Sequence, residues 1–103
     1  MSYRIEKWGK DSVPSAEDLR SEMEQEGYYV YGWSDDPGRT YGKHSHGGDQ
    51  SHWIISGKLE LTVEDFGTFI LEAGDRDFMP ANAIHSARVI GDEAVVYLIG
   101  EKI

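Results

Sequence analysis

Cysteine is absent from this chain. That excludes a disulfide framework, a thiolate metal site and a cysteine nucleophile. Long apolar runs are absent too: no stretch approaches the ~20 residues of a membrane-spanning helix. The opening residues, Met-Ser-Tyr-Arg-Ile-Glu-Lys-Trp, lack the apolar core of a secretory leader. Cationic side chains are scarce. Ten Lys and Arg stand against nineteen Asp and Glu, for a net charge of −9. A polyanion gains little from such a surface, so nucleic acid and anionic membranes are poor candidate partners. These absences lead us to expect a soluble, cytoplasmic protein that handles small molecules.

What is present suffices for one core. A chain of 103 residues is the size of a single domain. Three Trp, six Tyr and three Phe supply bulky interior groups, although a domain this small buries a modest share of its surface. Residues 1–27 read as an N-terminal segment. Tyr3 and Ile5 suggest a short strand. Ser15 can cap a helix, with Asp18 three residues on in a capping-box-like position. Ala16, Leu19 and Met23 recur at helical spacing and give a narrow apolar stripe suited to covering a sheet. Gly27 is a natural stop. Residues 28–103 read as the β unit. Short apolar runs there are broken every six to ten residues by Gly, Asp, Asn and Pro, giving strands near 28–34, 39–45, 50–56, 58–64, 67–72, 76–79, 84–90 and 94–100. This pattern predicts an all-β sandwich or barrel with one short N-terminal helix, and no βαβ sheet.

The four histidines are His44, His46, His52 and His85. Side chains alternate along a strand, so residues 44 and 46 share a face, as do 50 and 52. Two imidazoles side by side can grip one ion. If the strand at 50–56 pairs with that at 39–45, Gln50 joins them, and His85 must come from a distant strand. The plain alternative is surface or hydrogen-bonded core histidines.

The spacing carries more when read whole. Gly38, five residues, His44, one, His46, three, Gln50, six, Gly57 resembles the first motif of the cupin family: G, five, HxH, three or four, E, six, G. Gly74, five, Pro80, one, Asn82, two, His85, three, Val89 resembles the second: G, five, PxG, two, H, three, N. Glutamate is replaced by Gln50, glycine by Asn82 and asparagine by Val89. Asparagine tolerates the left-handed conformation better than most residues.

The resemblance implies a double-stranded β-helix, or jelly-roll barrel, holding one divalent first-row transition metal: Fe, Ni, Zn, Co, Cu or Mn. The implied ligands are His44, His46 and His85, with Gln50 in the glutamate place; Asp49 is a second oxygen-ligand candidate, which the family spacing does not reach. Neutral ligands leave the full dipositive charge on the ion and make it a stronger Lewis acid, and a Gln50→Glu change is expected to tighten its retention. His52 can be read as a general base, a further ligand or a wall residue. Arg76, and after it Arg39, are candidate clamps for a substrate carboxylate, although either also reads as surface charge. Tyr31, Trp33, Tyr41 and Trp53 read as barrel wall or dimer interface. The resemblance implies a metal-dependent enzyme, oxygenase-, isomerase- or lyase-like, on a small anionic chelating substrate. A non-catalytic ligand-binding or sensor cupin is the alternative. Open edge strands favour a homodimer.

Overall fold

The computed structural model describes residues 2–102. Nine strands and one helix are present among the described residues. The strands are β1 (Arg4–Glu6), β2 (Tyr29–Asp35), β3 (Thr40–His44), β4 (Gln50–Ser56), β5 (Lys58–Val63), β6 (Gly67–Leu71), β7 (Arg76–Phe78), β8 (His85–Ile90) and β9 (Val95–Glu101). They form two antiparallel sheets, ordered β1-β7-β4-β9-β2 and β3-β8-β5-β6. The alternation of β5 shows why. Leu59, Leu61 and Val63 are buried, while Lys58 and Thr62 are exposed, the period of two expected of a strand with one face on a core. Ile54, Leu59, Leu61, Leu71, Val89, Val95 and Tyr97 form the main apolar cluster, drawn from both sheets.

Helix α1 (Ala16–Gln25) starts as the capping pattern predicts. Ser15 Oγ accepts the Asp18 N–H at 3.4 Å. Gly27 follows the helix with φ of +98°. Leu19 and Met23, the apolar stripe, pack on Val30, Trp53 and Leu98. That contact covers the outer face of the five-stranded sheet, so β4 is buried on both sides. The N-terminal segment does more than cover: β1 pairs with β7 and extends the sheet by a strand. No described helix is long and apolar enough to cross a membrane.

Two turns set the site. At Gly57, between β4 and β5, φ is +79°, and a Cβ there would lie 2.5 Å from the Ala94 carbonyl oxygen. Both the turn and the close approach demand glycine. Asn82 adopts φ of +69°, the left-handed conformation for which asparagine is suited. Its N–H donates to the His46 carbonyl at 2.7 Å, and the Ala81 N–H donates to Asp49 Oδ1 at 2.8 Å. The loop leading into β8 is thereby stitched to the loop between β3 and β4.

Candidate metal centre

His44 ends β3 and His85 begins β8, and the two are directly opposite in an antiparallel pair. A register shift between Tyr41 and His44 is the extra residue of a bulge, which re-aims the end of β3. His46 lies just past β3, in the loop held by Asn82. The three imidazoles offer nitrogens that all lie within 4.8 Å of one another. Ring centroids are 4.2 Å apart for His44 and His85, 5.0 Å for His44 and His46, and 5.2 Å for His46 and His85.

The tautomers follow from the backbone. His44 Nδ1 is 2.7 Å from the Gly42 carbonyl, and His85 Nδ1 is 2.9 Å from the Ala83 carbonyl. A carbonyl only accepts, so each Nδ1 carries a proton and Nε2 is the nitrogen left to face a metal. Burial, with the neighbouring imidazoles adding to it, pushes His85 down to about 4 against the opposing Ala83 hydrogen bond. His46 is lowered by burial and then by His44 and His52, with Glu101 opposing. Convergent imidazoles with Nε2 left to bind are the donor set a divalent transition metal requires, so these residues fit the ion that the motif implies.

One topological expectation is corrected here. β4 does not pair with β3; its neighbours are β7 and β9. Gln50 therefore reaches the histidines from the opposite sheet. His85 comes, as expected, from a strand distant in the chain, which the barrel sets beside β3. Gln50 is buried and faces the cavity. Its Nε2 donates to Glu101 Oε1 at 3.0 Å, on the residue directly across the β4–β9 ladder. The same oxygen accepts the Tyr31 hydroxyl at 2.9 Å, and burial, reinforced by that bond, raises the Tyr31 phenol to about 12. With its nitrogen engaged, Gln50 is left with Oε1 to offer the site. Glu101 was not legible from the motif, which ends at position 89. Asp49 is held by the Ala81 N–H.

His52 lies in the same cavity, its ring 6.5 Å from that of His85. It is outside the three-histidine cluster because its Nδ1 is turned the other way, 3.0 Å from Asp77 Oδ1. Asp77 is fully buried. It also accepts the His52 backbone N–H at 2.7 Å and the Tyr3 hydroxyl at 2.9 Å. Burial alone would lower His52, but the charge and hydrogen bond of Asp77 outweigh it and the net shift is upward. Nε2 is the His52 atom left to the cavity.

The arginines are elsewhere. Arg76 is buried on the outer face of the sheet. Its guanidinium forms a two-pronged pair with Glu26 at the end of α1, donates Nε to Ser51 Oγ at 2.9 Å, and stacks on Trp53 and Phe78. The face that Arg76 shares with Phe78 is thus the outer one, and Arg76 ties the helix to the sheet. Arg39 is exposed and stacks over the Tyr41 ring at 4.7 Å. Among the described residues, no Lys or Arg lines the cavity of about 190 Å³. Tyr31, Trp33 and Tyr41, expected as wall or interface, do line it, whereas Trp53 packs under the helix.

A two-sheet antiparallel barrel with three histidines from two adjoining strand ends defines a class of metal-capable β-barrel proteins. The cupin domain family model matches residues 33–100, and the chain belongs to that family. No curated protein is matched by this sequence. Several solved structures are similar. One, from the crystal structures of the DMSP lyases RdDddP and RnDddQII, is 25% identical over 74% of this chain and 38% of its own, with a TM-score of 0.68. Oxalate decarboxylase from Bacillus subtilis is 31% identical over 71% of this chain, with a TM-score of 0.65; the match spans 21% of the decarboxylase. A DUF861 family protein from Thermotoga maritima aligns over 98% of this chain and 100% of its own, at 22% identity and a TM-score of 0.65, a likeness of fold. The chain thus spans well under half of the lyase and the decarboxylase it resembles.

Proposed function

We propose that this protein is a metal-dependent enzyme that moves a proton on a small chelating substrate, an isomerase- or lyase-like reaction. The observation that carries it is the His52–Asp77 pair opening into the cavity that gathers His44, His46 and His85. In this reading the three histidines and Gln50 Oε1 hold one divalent first-row ion. When bound, that ion polarises a substrate oxygen and acidifies a neighbouring C–H. His52 Nε2 receives the proton, Asp77 stabilises the resulting imidazolium, and Tyr3 holds Asp77 in place. The proton then returns to another substrate carbon in an isomerisation, or to the departing group in an elimination. The similarity to DMSP lyases and to oxalate decarboxylase supports bond-breaking chemistry on small molecules. The homodimer is part of the same proposal: β2 is an edge strand and leaves Tyr29 and Trp33 exposed. A monomer mass in solution would remove that part.

The test is proton exchange. Metal-loaded protein is incubated in heavy water with a panel of small hydroxy, oxo and onium acids, followed by NMR. We expect deuterium to enter a carbon-bound position of the substrate, with at least a roughly hundredfold loss in His52→Gln, while metal content stays equal. Turnover in both proteins at the same rate, without exchange, would instead indicate the oxygenase-like chemistry that the family resemblance also implies. A complete absence of turnover with a bound ligand would indicate a binding module.

A further inference from the structure

The cavity has a second region that the histidines do not use. Tyr31, Trp33, Tyr41 and Tyr97 turn into it, and Trp33 lies directly opposite Tyr97 in the β2–β9 ladder. Their polar ends are engaged by carboxylates. The Tyr41 hydroxyl donates to Asp35 at 2.8 Å, the Trp33 indole N–H is 3.2 Å from the same carboxylate, and the Tyr97 hydroxyl makes a longer contact at 3.5 Å. Tyr31 donates to Glu101 at 2.9 Å. The rings therefore line the cavity with their polar ends fixed and their hydrogen-bond donors committed to two carboxylates, Asp35 and Glu101.

Physical chemistry narrows what such a surface accepts. An anion meets aromatic rings, carboxylates behind them, and no Lys or Arg in the lining. A polyhydroxyl finds the donors already taken. A neutral alkyl group fits the rings and the aliphatic Leu59, Leu61, Ala87 and Ile99 beside them, but gains nothing from the charges. A diffuse cation gains from both, since an alkylated ammonium or sulfonium is attracted to ring faces and sheds water cheaply. One of these rings already takes a cation from outside the cavity, where Arg39 stacks on Tyr41 at 4.7 Å.

We propose that this region is an aromatic cage for the onium group of a zwitterionic substrate, whose carboxylate lies at the histidine cluster. The proposal rests on the metal-centre reading and names the substrate class for it. Tyr41 is paired with Ala87, two residues along β8 from the His85–His44 pair. That step is about 7 Å of strand, so the substrate's two charges stand a few bonds apart. The sequence led us to expect an arginine clamp on a purely anionic substrate; the lining replaces that with the opposite polarity at one end.

Calorimetric titration of zinc-loaded protein tests this. The probes are trimethylammonio carboxylates with one to three methylenes between the charges, each beside its carbon isostere bearing a tert-butyl group. We expect the best onium acid to bind roughly ten- to thirtyfold tighter than its isostere. The ratio should fall toward one in Asp35→Asn and in Trp33→Leu, with zinc content unchanged. Trp33 is a half-exposed rim residue, so its replacement leaves the fold intact even if the Asp35 variant does not fold. Equal or tighter binding of the isostere at full zinc loading overturns the cage and leaves the metal centre standing. So does failure of every probe to bind, or a ratio that survives both substitutions. Failure to retain zinc overturns the metal-centre reading, and the cage with it.

Discussion

Exchanging the side chains of Gln50 and Glu101 separates two roles that the site divides between them. Gln50 Nε2 and Glu101 Oε1 are 3.0 Å apart on opposed residues of β4 and β9. The carboxylate that the first motif would place among the ligands is here one hydrogen bond behind them. In Glu101→Gln the ligands are intact, but that charge is gone. A pair of unit charges a few ångströms apart is worth about 1 kcal/mol in water and about 4 kcal/mol at the effective dielectric near a protein surface. Glu101 is half-buried, so we take ~2 kcal/mol, a roughly thirtyfold weaker metal Kd. The double exchange, Gln50→Glu with Glu101→Gln, returns the charge and keeps a donor–acceptor pair between positions 50 and 101. The new amide nitrogen at 101 donates to the new carboxylate at 50 and its second N–H to the Tyr31 hydroxyl oxygen, which turns from donor to acceptor. Its Kd should recover to the wild-type value or better.

Gln50→Glu alone behaves differently from what the motif suggests. It sets two carboxylates across a 3.0 Å contact, and like charges at that distance force one to keep a proton when no metal is bound. Metal must then displace that proton, so the gain in affinity appears only as pH rises. The assay is competition of zinc against a chromophoric chelator at pH 6 and 8 for all four proteins. A Glu101→Gln protein with wild-type affinity would refute the reasoning. So would a double exchange no tighter than Glu101→Gln.

Metal-stripped protein should lose thermal stability as pH falls from about 6.5 toward 4. The folded chain holds His85 near 4 while the unfolded chain titrates near 6.5, so the unfolded state binds the extra proton in that window and acid favours it. His85→Asn should flatten that limb of a melting-temperature profile relative to wild type, and unchanged slopes would contradict the assignment. His52 carries the opposite sign: its raised value gives stability that is full below pH 6.5 and fades above it. Arg76→Ala should destabilise the fold by about 3 kcal/mol, because it strips partners from Glu26 and Ser51 and packing from Trp53. Denaturant titration should show that loss with metal affinity unaltered, whereas weaker zinc binding in a folded Arg76→Ala protein would return Arg76 to the site.

The strand pattern was legible because each run carries its own alternation and its own stop. Leu59, Leu61 and Val63 announce a core-facing strand with no reference to neighbours, and Gly57 and Asn82 mark turns through their own conformational preferences. The three-histidine cluster was legible for a related reason: motif spacing stands in for topology. Pairing is a different kind of information. Alternation says which face a residue takes but not which strand lies beside it. Gln50 was accordingly set next to His44 when it faces it across the barrel, and Arg76 was aimed inward when Trp53 and Glu26 hold it outside. The residues that give the cavity its character are those whose meaning is relational. Asp35, Asp77 and Glu101 look like three of nineteen acids in the sequence. Each becomes specific through a partner sixty or more residues away or across a ladder: Tyr97 for Asp35, Tyr3 for Asp77, Gln50 for Glu101. Buried carboxylates persist only when such partners satisfy them. A strongly acidic chain can therefore hide its chemistry in the few acids that turn inward. Here those three stand behind a histidine, an amide and a ring cluster, and that placement is what makes one end of the cavity fit for a metal and the other for a cation.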